Sequence, residues 1–153
     1  MLLAMRLLAV IALLLATGVA ACGGDDEQAA PASWNGPQRP YPESGVLPVD
    51  EFRAYAESVD EDWEQDPTAV ARAYVRLPES VGGPEAPAVT VSPLRGQQVT
   101  VTREGLADDS VAAERYVLTV EEDDDVWTLT AARWEQRCQP MRGHQDFGPE
   151  LCV

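Results

Sequence analysis

The chain reads as a single α+β domain in which an N-terminal helical pair packs on an antiparallel sheet of about four strands. Two observations carry this reading. Apolar residues recur at helical spacing between Phe52 and Leu77, and after a Gly/Pro-rich stretch ending at Pro87 the period changes to two and holds as far as Arg137. The expected organisation is a leader over residues 1–21, a flexible linker over 22–48 and the folded domain over 49–153.

Taken in order, the domain opens at Asp50, whose carboxylate suits an N-cap. Phe52, Ala56, Val59 and Trp63 then fall on one helix face, and Glu57, Asp60, Glu61, Asp62 and Glu64 on the other. Asp66-Pro67 is a second start signal, because proline at the first helical position gives up an N–H that has no partner there. Val70, Tyr74 and Leu77 continue at helical spacing until Pro78 stops the run. Glu79 to Pro87 is a connection.

Strands follow at Ala88 to Ser92, Gln98 to Arg103, Val111 to Glu122 and Val126 to Arg137. In the third, Tyr116, Leu118 and Val120 share a face. In the fourth, Trp127, Leu129 and Ala131 are expected on one face, and Val126, Thr128, Thr130 and Trp134 on the other. Gly105 to Ser110 reads as a polar turn and the acidic Glu121 to Asp125 as a hairpin loop. A curved sheet around a helix in this order is compatible with a cystatin-like cone, an analogy at the level of fold alone.

Ahead of the domain, Arg6 precedes an apolar run from Leu7 to Val19, too short to span a bilayer comfortably and of the length of an export signal. The run ends in Val19-Ala20-Ala21-Cys22, which resembles the bacterial lipobox. A general secretory signal with a cysteine at the cut is the alternative. The resemblance implies cleavage before Cys22, a diacylglyceryl thioether on its sulfur and acylation of its new amine. Acyl chains contribute about 0.8 kcal/mol per buried methylene, so two or more hold a protein at a membrane without a spanning helix. The predicted location is therefore the extracytoplasmic face of the cell membrane. Gly23 to Pro48, with prolines at 31, 37, 40, 42 and 48, reads as a tether of about 30 Å reach. Trp34 and Tyr41 within it are sticky points for a partner, residues that dock on their own domain, or residues with no role.

All basic residues are arginines, and the formal charge is −15. Such a surface repels phosphate, so nucleic acid is not an expected partner. A cationic protein, a divalent ion or solubility alone remain as explanations of the charge. With Cys22 lipidated, Cys138 and Cys152 are left as a pair in an oxidising compartment, where a disulfide is the default. It would close a loop of about 15 residues, worth about 3 kcal/mol.

The segment Arg137-Cys138-Gln139-Pro140-Met141-Arg142-Gly143-His144 through Phe147 and Cys152 resembles a C-terminal signature of small actinobacterial secreted proteins and lipoproteins, R-C-x-P-G-R-G-H-x-x-F followed by a last cysteine. The chain departs from it at Met141, where glycine is expected, and the resemblance brings no assigned activity. A metal site built from Cys138, His144, Asp146 and Cys152 competes with the disulfide but needs reduced thiolates outside the cytoplasm. His144, the only histidine, reads either as a general base or as a residue that orders the loop with Arg142 and Asp146. No nucleophile elbow or zinc-protease motif accompanies it, and no catalytic residue is assigned. The acidic runs Asp60 to Asp66 and Glu121 to Asp125 lack the spacing of a calcium loop and read as solvated. No cofactor or metal is expected. The function class that remains is a membrane-anchored module binding a small molecule or an extracytoplasmic protein, with an envelope enzyme around His144 and an inhibitor of a cationic hydrolase as alternatives.

Overall fold

The computed structural model describes residues 33–59, 61–77 and 86–153. The leader, Cys22 and the first part of the tether lie outside the described residues, as do Asp60 and residues 78–85. Among the described residues no helix is long and apolar enough to cross a membrane.

The chain is α+β. Strand β1 (Val46–Leu47) leads into helix α1 (Asp50–Ser58), a 3₁₀ turn at Asp62–Gln65 and helix α2 (Pro67–Val75). Strands β2 (Ala88–Val91), β3 (Gln98–Glu104), β4 (Val111–Asp123) and β5 (Val126–Cys138) then form an antiparallel meander. The sheet has five strands in the order β1-β5-β4-β3-β2, one more than the expected four. The missed strand is β1, two residues between Gly45 and Pro48, too short for alternation to register.

Helix α1 does not continue to Trp63. Its N-cap is Val49, with no side-chain cap bond, so Asp50 is the first helical residue and its carboxylate, with that of Glu51, sits in the first turn where the helix dipole favours it. At the other end Val59 is extended, and the carboxylates beyond it would add negative charge at the negative pole of the helix. Trp63 instead returns through the 3₁₀ turn, its ring 5.8 Å from that of Phe52. The second start signal behaves as expected: the Asp66 carboxylate accepts the Thr68 N–H at 2.7 Å and Pro67 takes the first helical position.

The linker does not extend to residue 48. Trp34 is only 6% exposed, stacks on Tyr74 with ring centroids 5.4 Å apart, and donates its indole N–H to the Tyr74 carbonyl at 2.7 Å. Burying a tryptophan removes an apolar area large enough to offset the ordering of the few residues that carry it. From Trp34 the chain runs as a strap across the domain to Gly45, whose carbonyl accepts the Trp134 N–H at 2.7 Å, and on into β1 beside β5. Gly45 has φ +71, and a Cβ there would stand 2.8 Å from the Trp134 carbonyl, so the close approach of strap to sheet needs glycine. Farther along the same edge Gly148 bridges Gln136, so β1 and the C-terminal segment together cover the edge of β5.

One inward set differs from the alternation expected in β5. Thr119 faces Ala131 but Val120 faces Leu129, so Thr130 is an extra residue, a β-bulge. The bulge reverses the phase, and Leu129, Ala132, Trp134, Gln136 and Cys138 are all buried on the helix-facing side, whereas Ala131 is exposed. Trp134 thus joins Leu129, not the opposite face. In β4 the expected set Tyr116, Leu118 and Val120 is buried with Val99 and Val101 of β3 and with Phe52, Val70 and Tyr74 of the helices. The acidic loop is shorter than expected: Glu121 to Asp123 belong to β4, and Asp124 and Asp125, with φ +49 and +67, make a two-residue turn.

Candidate functional site

The C-terminal segment that stands out in the sequence folds as a closed clasp. The sulfurs of Cys138 and Cys152 lie 2.09 Å apart in a disulfide with a Cα separation of 5.4 Å. Gly143 packs against it, and a Cβ there would meet the Cys138 sulfur at 2.8 Å. Met141, the residue at which the chain departs from the signature, has φ +66, a left-handed conformation that favours glycine.

His144 holds the clasp from inside. Its Nδ1 is 2.6 Å from the Asp146 carbonyl oxygen and its Nε2 is 2.9 Å from that of Glu150. Both neighbours only accept, so the imidazolium, which donates from both ring nitrogens, is the form these contacts favour. The Glu150 and Asp146 carbonyls accordingly raise the His144 pKa. Arg142 and Asp146 have exposed side chains, and Asp146 contributes a main-chain oxygen rather than its carboxylate. The three residues are neighbours without forming an acid–base constellation. Cys138, His144 and Cys152 do bring potential ligand atoms within 4.8 Å of one another, but the two sulfurs bond each other and the imidazole faces carbonyls.

A second constellation, absent from the sequence expectations, lies at the end of the sheet that the helices do not cover. The inner face there carries Glu114, Arg103, Trp134 and Gln136, and the strap crosses above it with Arg39 and Tyr41. Glu114 follows the inward phase of Tyr116, Leu118 and Val120, and its side chain is 2% exposed. Its Oε1 is paired with the Arg39 guanidinium and its Oε2 lies 3.5 Å from Arg103 Nη1. Burial works against the Arg39 charge, but the Glu114 carboxylate more than offsets it and the Arg39 pKa is raised. The Tyr41 and Tyr116 hydroxyls are 2.9 Å apart, and burial pushes the Tyr116 phenol above its ordinary range. The Tyr41 ring meets that of Trp134 edge-on at 4.8 Å.

Between strap, β5 and the chain end runs a cleft of about 490 Å³, lined by Arg39, Tyr41, Asp108, Trp134, Gln136 and Leu151 among others. It adjoins a recess of about 260 Å³ that shares Arg39 and Asp108 and reaches Arg103 and Glu114. Asp108 shapes the rim: its Oδ1 accepts the Ser110 and Val111 N–H groups, each at 2.8 Å, and these bonds lower its pKa. Gln136 donates to the Glu150 carbonyl at 2.7 Å, tying the cleft to the clasp. The indole N–H of Trp134, buried beneath the strap, has no acceptor among the described residues. Such a donor costs roughly 1–3 kcal/mol unless something accepts from it. Two arginines and two acids balance each other, so the cleft is close to neutral inside a strongly acidic protein. Ser110 is the one serine on its wall, and with His144 turned to carbonyls no Ser–His pair is assembled.

The sequence did carry a signal for this site. Glu114 is an acidic residue at an inward position of a strand otherwise filled by Tyr116, Leu118 and Val120. Trp134 carried none, because the bulge at Thr130 hides its phase. The chain matches no known family, no curated protein and no solved structure.

Proposed function

We propose that the chain is a lipid-anchored, extracytoplasmic binding module whose small-molecule site is the cleft at the open end of the sheet. The observation that carries the reading is the unpaired indole N–H of Trp134, a residue that lines a cleft of about 490 Å³ and whose nitrogen lies just beneath the strap. That volume falls within the roughly 300–1,000 Å³ of ordinary ligand sites, and a single convergent donor in an aromatic wall is how such sites fix orientation. The ligand class is a compact molecule with an apolar body to lie against Tyr41 and Leu151 and a carbonyl or carboxylate oxygen to accept from Trp134. The indole nitrogen is covered by the strap, so binding to it requires Tyr41 to be displaced. The lipobox at Val19 to Cys22 supports attachment to the membrane through acylated Cys22, and the Cys138–Cys152 disulfide is in keeping with export. The high density of carboxylates argues against nucleic acid as a partner. A short strand, then the helices, then an antiparallel meander support the cystatin-like cone as an architectural analogue.

Both halves of the proposal are open to test. Detergent phase partitioning of the expressed protein should place the native chain with the detergent and a Cys22→Ser chain in water; a native chain found in water removes the anchor. A fragment library titrated into isotope-labelled Cys22→Ser protein should move the Trp134 indole resonance, and Trp134→Phe should weaken those ligands about 10-fold, the loss of roughly one buried hydrogen bond. A library in which every hit leaves the Trp134 resonance unmoved overturns the cleft.

A further inference from the structure

At the opposite end of the sheet, between α1, the 3₁₀ turn and the root of the β4–β5 hairpin, lies an apolar groove of about 190 Å³. We infer that this groove docks a basic segment of a partner protein, taking one arginine or lysine side chain between Trp63 and Trp127. Phe52 and Leu129 form the floor, and the two tryptophans are half-buried walls. The space is smaller than the roughly 300 Å³ at which ordinary ligand sites begin, and it suits a single long side chain.

The charge around the groove selects which side chain. Glu57 and Glu64 line it, against Arg53 as the one basic residue of the lining. Glu122 stands directly opposite Trp127 in the β4–β5 ladder and follows the inward phase of Val120, so it shares the face on which Trp127 lies. Asp123, Asp124 and Asp125 continue from it around the turn. An indole face attracts a guanidinium or ammonium, the apolar floor takes the methylene stem, and the surrounding carboxylates meet the charged head. A chain of net charge −15 also draws a basic partner in at long range.

The test uses the lipidated full chain in detergent micelles, with a fluorescent acetyl-(Gly-Arg)3-amide peptide as probe and anisotropy as readout. Saturable binding is expected, weakening as salt rises. Trp127→Ala should weaken it about 10-fold, which corresponds to about 1.4 kcal/mol for a cation held on a partly desolvated ring. Should Trp127→Ala fold poorly by circular dichroism, Glu122→Gln serves in its place with a smaller loss in the same direction. Met141→Ala, in the exposed C-terminal clasp, should change nothing. Equal binding of an acetyl-(Gly-Gln)3-amide peptide would overturn the role of charge. Salt-sensitive binding undiminished by either groove variant would show diffuse attraction and overturn the groove. Arginine amide binding as tightly as the peptide would make this a site for a free cation and overturn the docking of a protein segment.

Discussion

The pairing of Glu114 with Arg39 should be asymmetric, and the asymmetry measures how buried the cleft floor is. The Glu114 side chain is 2% exposed, whereas that of Arg39 is 60% and that of Arg103 is 33% exposed. Arg39→Met keeps an aliphatic stem near Tyr41, over which the guanidinium carbon now lies at 4.9 Å, but leaves the carboxylate with Arg103 alone at 3.5 Å. Removing one partner of a fully buried pair costs about 3–5 kcal/mol. The remaining arginine and the water of the adjoining cleft reduce that, and we expect about 2 kcal/mol, or about 8 °C in melting temperature for a domain of this size. Glu114→Leu does the reverse, since it removes the buried charge, fills an inward position with an apolar side chain and leaves two arginines that can hydrate. Its cost should stay within about 1 kcal/mol, and the double variant should be no worse than Glu114→Leu alone. Urea unfolding of the Cys22→Ser chain reads all three. Equal costs for the two single variants, or a neutral Arg39→Met, would mean that Glu114 is hydrated through the cleft and that the burial argument fails.

Two further outcomes concern the C-terminal clasp. The His144 pKa is raised in the folded chain, so the imidazolium's contribution is complete below the ordinary histidine value of about 6.5 and is lost as pH climbs through the raised value. Between pH 5.5 and 8.5, amide exchange in residues 143–150 should therefore speed up more in the native chain than in His144→Gln; an equal change in both would remove the clasp from this role. Met141 is 97% exposed at φ +66, so Met141→Gly loses no packing and relieves about 1–2 kcal/mol of left-handed strain, against about 0.4–1 kcal/mol of added unfolded-chain entropy. A net gain of about 0.5 kcal/mol in urea unfolding is expected, and a loss would show that the backbone there is not strained.

What was legible in the sequence and what was not divides along the range of the interaction. Period-two alternation through Val99 and Val101, and through Tyr116, Leu118 and Val120, places β3 and β4 to within a residue because each strand repeats its signal several times. Asp66-Pro67 marks the start of α2 because capping is local chemistry. Trp34, by contrast, stands among prolines and polar residues, and what draws it into the core is Tyr74, 40 positions away. Thr130 is a bulge only by reference to the partner strand, since alternation within β5 alone would put Ala131 inside and Trp134 outside. The clasp residues Cys138, His144 and Cys152 were visible as a cluster because they are close in sequence, but the role of His144 depends on which carbonyls the folded loop presents to it.

The cleft falls between these cases and shows what an inward charge means. On β4 the phase of Tyr116, Leu118 and Val120 requires Glu114 to face the core, and a carboxylate there is tolerable only if cations reach it or the core ends. Both happen. Helices α1 and α2 stop short, the strap supplies Arg39 from 75 positions away, and β3 supplies Arg103. A buried ion pair seldom adds stability over an apolar pair of the same shape, so Glu114, Arg39 and Arg103 at the floor of a cleft are in keeping with the proposed binding role. The same reasoning separates the two ends of the sheet. At the Glu114 end charge is neutralised and a single indole donor is left over, suited to a neutral or singly anionic small molecule. Beside Trp127 the carboxylates of Glu122 to Asp125 are gathered, suited to a cation.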